Sequence, residues 1–151
     1  VNGVAAGGGF SLVCMADLAI AARSARFNFA YTKSGLTPDG GATHFLPRMV
    51  GSQRAFELLA LNPTLNAEQA RELGIVARVV DDEALSAELE QVTHQLASTP
   101  ANANGRLKRL LRASAANSLE QQFELEGRGI ADGAGHPETL AALEAFFNRS
   151  K

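Results

Sequence analysis

The sequence predicts an α/β fold class, and three observations carry that expectation. Two short strand-like runs, DLAIAA (17–22) and RFNFA (26–30), follow a glycine-opened apolar stretch near the start of the chain. A β-branched run, IVARVV (75–80), comes after a capped helical segment. Beyond residue 85, leucine and phenylalanine recur at helical steps almost to the end. With 151 residues and 46% hydrophobic content, the chain can form one ordinary core.

Taken in order, Val1-Asn2-Gly3 reads as the tail of a strand entering a turn, so the chain is expected to be a C-terminal piece of a longer protein. GGGFSLVCMA (7–16) predicts a fully apolar, buried helix. DLAIAA is a buried strand, and Phe27 and Phe29 alternate in the next one. Residues 32–47 are dense in Gly, Pro, Asp and Thr and read as one functional loop. A helix then begins at Ser52 as N-cap, with Ala55, Leu58 and Leu59 on its apolar face. Asn66 caps AEQAREL, which Gly74 stops. Leu85, Leu89, Val92 and Leu96 stripe the next helix, and Thr99 to Gly105 breaks the pattern. Leu107, Leu110 and Leu111 mark another helix, and Leu119 and Phe123 open the one after it. Gly133 to Pro137 is a loop before a last helix striped by Leu140, Leu143, Phe146 and Phe147. So many stripes on one stretch predict packing against another subunit.

Composition narrows the function classes. Charged residues make up 20% and the formal net charge is -2, which favours neither nucleic acid nor an anionic membrane surface. The one cysteine, Cys14, has no partner for an intrachain disulfide and sits among apolar residues, where a packed small hydrophobe is expected. No apolar run approaches the roughly 20 residues of a membrane span, and Val1 to Met15 lacks the basic start of a signal peptide. A soluble, cytoplasmic protein is expected.

Two features could carry chemistry. Gly7-Gly8-Gly9 opens a helix, where bare amides can hold a developing oxyanion, although a tight turn with close helix packing explains the same glycines. The G-x-G-x-x-G spacing of dinucleotide sites and the Gly-Lys-Ser/Thr of phosphate loops are absent. The second feature is Pro38-Asp39-Gly40-Gly41, a lone carboxylate in a glycine-rich turn. Such a turn is also ordinary, with Asp bonding its own backbone. Small neighbours leave room for a ligand, and the apolar residues from His44 to Pro47 predict a pocket wall that would make a carboxylate a usable base. Ser11, Tyr31 and His44 compete for roles. Ser11 has no G-x-S-x-G setting, and the three histidines lack metal-ligand spacing, so no metal is expected.

VNGVAAGGG, DLAIAA, GLTPDGG (35–41), Leu46-Pro47-Arg48 with Gly51, and LNAEQARELGIVARVVDD together resemble the crotonase (enoyl-CoA hydratase/isomerase) superfamily over essentially the whole chain. The resemblance implies the second half of a spiral of ββα units in residues 1–65, with the active-site loop. It implies a mostly helical region over 66–151 that makes oligomer contacts, in a homotrimer or hexamer. It also implies acyl-CoA substrates, with coenzyme A part of the substrate and no separate cofactor. Gly8 would donate one of two amides to the thioester oxygen, the other coming from an earlier segment. Gly7, Gly9, Ser11, Tyr31, Leu36 and Gly40 would line the substrate, and Phe146, Arg149 or Lys151 would either reach a neighbour's coenzyme A or, equally well, belong to a solvated terminal helix.

Family hydratases carry glutamates where this chain has Ser11 and Tyr31. An acid directly after the proline of the turn is similar instead to Δ3,Δ2-enoyl-CoA and oxepin-CoA isomerases, which makes Asp39 the expected proton shuttle. The alternatives are a catalytically incomplete fragment or assembly module and, after it, a hydratase or hydrolase using Ser11 or Tyr31.

Overall fold

The structure, a computed structural model, describes residues 1–149. Lys151 and the side chain of Arg149 therefore lie outside what it describes. Two compact units divide the chain, Val1–Gln91 and Val92–Lys151.

Among the described residues the five strands lie in the first unit: β1 (Val4–Ala6), β2 (Ile20–Ala22), β3 (Arg26–Asn28), β4 (Leu65–Asn66) and β5 (Arg78–Val80). They form two sheets. In one, β1 runs parallel to β3, with Val4 opposite Arg26, and β4 runs antiparallel to the other edge of β3. In the other, β2 runs parallel to β5, with Ile20 opposite Arg78. The chain thus leaves one sheet, visits the second, and returns to the first. Helix α1 (Gly8–Met15) fills the step between β1 and β2. Strands from β1 to β3 pass between the two sheets, and β4 pairs with β3 before β5 joins β2, in keeping with the α/β expectation.

One core joins these parts. Phe10 of α1 stacks on Phe29 with centroids 4.0 Å apart and meets Phe27 of β3 at 5.5 Å. All three rings are buried, and large aromatics contribute much of such a core's hydrophobic free energy. Cys14, Ala21, Leu46, Leu58 and Leu65 extend it. So do Ala67, Ala70, Ile75 and Val76, which lie beyond the boundary expected at residue 65. They bring α4 (Ala67–Glu72), capped by Asn66 through a reciprocal pair with Gln69, into the first unit.

The structure departs from the sequence reading at several elements. Helix α1 buries Phe10, Ser11 and Cys14 but leaves Leu12 and Met15 exposed, so it is not wholly buried. The expected loop over 32–47 contains a short 3₁₀ turn, Thr32–Ser34, and its second part is helical: α2 spans Ala42–Val50. Pro47 lies inside α2, where only one intrahelical N–H is lost, while Ala42 and Leu46 bury one face. The next helix, α3 (Ser52–Leu61), has Gly51 as N-cap at φ +80°, and Ser52 is its first helical residue without a side-chain cap bond.

Helix α5 (Leu85–Ala97) runs across the division between the units and buries Leu85 and Val92 of its stripe, leaving Leu89 and Leu96 exposed. In the second unit, α6 (Ala101–Ser114) runs through the segment expected to break the pattern. It is followed by α7 (Leu119–Ala134), which Ser118 caps with Gln121, and α8 (Pro137–Arg149). Arg106 donates to the Gly129 carbonyl, and the Asn102 N–H donates to Glu138. No residue of α6 or α7 is buried, and Leu107, Leu111, Phe123, Ile130, Phe146 and Phe147 are exposed. Among the described residues no helix is long and apolar enough to cross a membrane.

Candidate active site

The site begins where β1 ends. Gly7 turns the chain at φ +53°, a conformation glycine adopts without a Cβ penalty, and its N–H donates to the Asn28 carbonyl of β3 at 2.9 Å. The N–H groups of Phe10 and Ser11 return to the Gly7 carbonyl. Those of Gly8 and Gly9 have no acceptor among the described residues, at the positive end of the α1 dipole. Phe10, locked between Phe27 and Phe29, fixes this helix end against β3.

Opposite it, β3 runs out through buried Phe29 to Ala30, whose φ of +60° swings Tyr31 back over the glycines. The Tyr31 hydroxyl donates to Oδ1 of Asp39 at 2.5 Å. Both groups stand over Gly8: a Cβ there would lie 3.6 Å from the Tyr31 oxygen and 3.8 Å from that carboxylate oxygen. The bond to Asp39 raises the Tyr31 pKa above its ordinary value, since ionising the phenol would remove the donor and place two negative charges together; the Ser11 hydroxyl acts in the opposite sense. Gly40 and Gly41, at φ +57° and +78°, carry the chain from Asp39 into α2, and the Ala42 N–H closes on the Asp39 carbonyl.

Ser11 is fully buried beneath this turn. Its hydroxyl donates to the Gly7 carbonyl at 3.4 Å, and Gly40 rests on its β-carbon. Gly7, Gly8, Ser11, Tyr31, Asp39 and Gly40, six of the eight residues singled out in the sequence, thus meet in one place, and Gly9 adds the second amide without an acceptor. Leu36 stands apart: its N–H donates to the Tyr31 carbonyl, and its side chain is 61% exposed. His44 is exposed and packs edge-on against Phe45. Asp39 itself is exposed in this chain, so the expected apolar pocket is not formed around it. The apolar residues after it belong to α2, whose Ala42 and Leu46 are spent on the core. Among the described residues no three His, Cys, Asp or Glu side chains are grouped to hold a metal ion.

Sequence reasoning passed over Asn62. This residue is buried at φ +50°, donates its amide to the Thr32 hydroxyl and to the Leu59 carbonyl, and so braces the turn that presents Tyr31. The Asn-Pro pair at 62–63 was the available turn signal.

The fold is that of the crotonase class, as its superposition on solved members shows. The chain belongs to the enoyl-CoA hydratase/isomerase family, whose profile matches residues 1–151. It is 45% identical over 126 residues to the 1,2-epoxyphenylacetyl-CoA isomerase of Escherichia coli K12, covering 83% of this chain and 48% of that protein. It is 34% identical over 151 residues to 4-chlorobenzoyl coenzyme A dehalogenase-1 of Arthrobacter sp, covering 100% of this chain and 54% of that protein. A crystal structure of an enoyl-CoA hydratase/isomerase from Cupriavidus metallidurans CH34 superposes with a TM-score of 0.94 at 38% identity, over 99% of this chain and 56% of that one. The chain spans about half the length of the curated relatives it matches.

Proposed function

We propose that this chain carries the proton-transfer machinery of an enoyl-CoA isomerase-type enzyme. The observation that carries the reading is the Asp39 carboxylate standing over Gly8, whose amide has no acceptor among the described residues. An acyl-CoA thioester placed between them would have its carbonyl oxygen at the helix N-terminus and its acidic carbon near the carboxylate. Asp39 takes the proton from C2 of a 3-enoyl thioester. The C–H electron pair becomes part of a dienolate whose oxygen accepts from Gly8 and a second donor. Asp39 then returns the proton to C4, which leaves the double bond between C2 and C3 and restores the thioester carbonyl. Gly7, Gly9 and Tyr31 line the substrate in this reading, with Leu36 at its exposed edge. No separate cofactor takes part, and the enzyme works in the cytoplasm.

The similarity to a 1,2-epoxyphenylacetyl-CoA isomerase supports isomerisation, with a ring-derived acyl group as one substrate class. Hydration has less support, because Ser11 stands where family hydratases carry an acid and is buried under Gly40. A second reading, assembly, is favoured by the exposed apolar residues of α6 to α8, which suit packing in a homotrimer or hexamer, with Phe146 near a neighbour's coenzyme A. The test is Asp39→Asn in the full-length enzyme. Loss of a general base lowers kcat by roughly 10²–10⁴-fold, while acyl-CoA binding persists. Turnover at the wild-type rate would contradict the reading.

A further inference from the structure

We propose that Tyr31 is a positioning residue that pins Oδ1 of Asp39 and leaves Oδ2 as the oxygen that carries the proton. The inference rests on reading Asp39 as the base. Asp39 lies on an exposed turn followed by two glycines at positive φ, so its own surroundings do little to hold the carboxylate. Among the described residues the Tyr31 phenol is the one side chain hydrogen-bonded to it.

Tyr31 is itself braced from two sides. On one side its ring rests by Gly7, where a Cβ would lie 3.8 Å from the phenol carbon Cζ. On the other, the Thr32 hydroxyl donates to the Leu59 carbonyl at 2.9 Å, and the buried Asn62 amide donates to that hydroxyl. A base that must visit two carbons gains from a fixed pivot, because misplacement of the reacting atoms is costly in rate. With Oδ1 occupied by the phenol, a single oxygen faces both C2 and C4.

The arrangement works only while the phenol keeps its proton. Asp39 is the charged group facing Tyr31, the Ser11 hydroxyl is the other group acting on it, and Lys33 on the same turn reaches the Asn62 carbonyl instead. Asp39 makes the phenol hold its proton above the ordinary tyrosine range.

The test compares full-length wild type with Tyr31→Phe. Loss of a hydrogen bond to a charged group is expected to lower kcat roughly 10- to 100-fold, with a smaller change in KM and acyl-CoA affinity. The wild-type kcat profile should show an alkaline limb that coincides with Tyr31 ionisation, read as the near-ultraviolet difference between wild type and variant; the variant lacks that limb. A Tyr31→Phe enzyme with wild-type kcat and the same limb would overturn the proposal. So would a wild-type kcat that stays flat while Tyr31 ionises, a result that needs no variant to fold. If Asp39→Asn is inactive while Tyr31→Phe is fully active, only this proposal fails. If Asp39→Asn is active, the reading beneath it fails too.

Discussion

Gly40 rests on the β-carbon of Ser11: a Cβ placed on Gly40 would lie only 2.9 Å from it. That contact seals the space beside the Ser11 side chain. Ser11→Glu should therefore displace the Asp39 turn and create no hydratase. Overpacking of this kind costs about 1–3 kcal/mol, readable by urea denaturation. A stable Ser11→Glu enzyme that hydrates crotonyl-CoA would show that the seal does not determine the chemistry.

Gly8→Ala separates site from fold. The added methyl would sit at ordinary contact distance, 3.6 Å from the Tyr31 oxygen, so the structure should tolerate it. Stability is expected to stay within about 0.5 kcal/mol of wild type. Acyl-CoA turnover should fall, because the methyl occupies the space between the helix amides and the carboxylate. Unchanged turnover in steady-state assays would place the substrate elsewhere.

Ala30 holds a left-handed conformation at φ +60°, which costs an L-residue roughly 1–2 kcal/mol. Ala30→Gly removes that strain and adds only the flexibility of the unfolded chain. The variant should be as stable as wild type or up to about 1 kcal/mol more stable, in contrast to the usual loss for Ala→Gly. A clear drop in the denaturation midpoint would mean that the turn to Tyr31 is not strained.

Burial pushes the Cys14 thiol from its ordinary 9.0 up to about 11. The folded state therefore keeps the proton more tightly than the unfolded state. Stability from this group is complete below pH 9.0 and is lost as pH rises toward about 11. At mildly alkaline pH, Cys14 should resist a maleimide in the native protein and react in urea. Equal labelling rates in both states would contradict the buried placing.

Much of this was legible in the sequence. Phe27 and Phe29 announced a buried strand and Asn66 a helix cap, because each depends on local chemistry, and the glycines with Asp39 remain a candidate site that lies together in the fold. What was missed depends on tertiary context. Residues 42–47 read as part of a loop, yet burial of Ala42 and Leu46 carries α2 through Pro47. Gly105 looked like a break, yet it lies inside α6. Ile75 and Val76 return to the first core, a long-range contact that periodicity cannot register. The link from Asn62 through Thr32 to the turn bearing Tyr31 spans 30 residues and has no signature in spacing.

The most direct test follows the proton. Full-length enzyme is given 3-enoyl-CoA deuterated at C2, and a single turnover is analysed by mass spectrometry for deuterium at C4. One carboxylate moving one proton predicts deuterium at C4 with wild type, and neither transfer nor double-bond migration with Asp39→Asn. Transfer by Asp39→Asn at the wild-type rate would contradict the role given to Asp39.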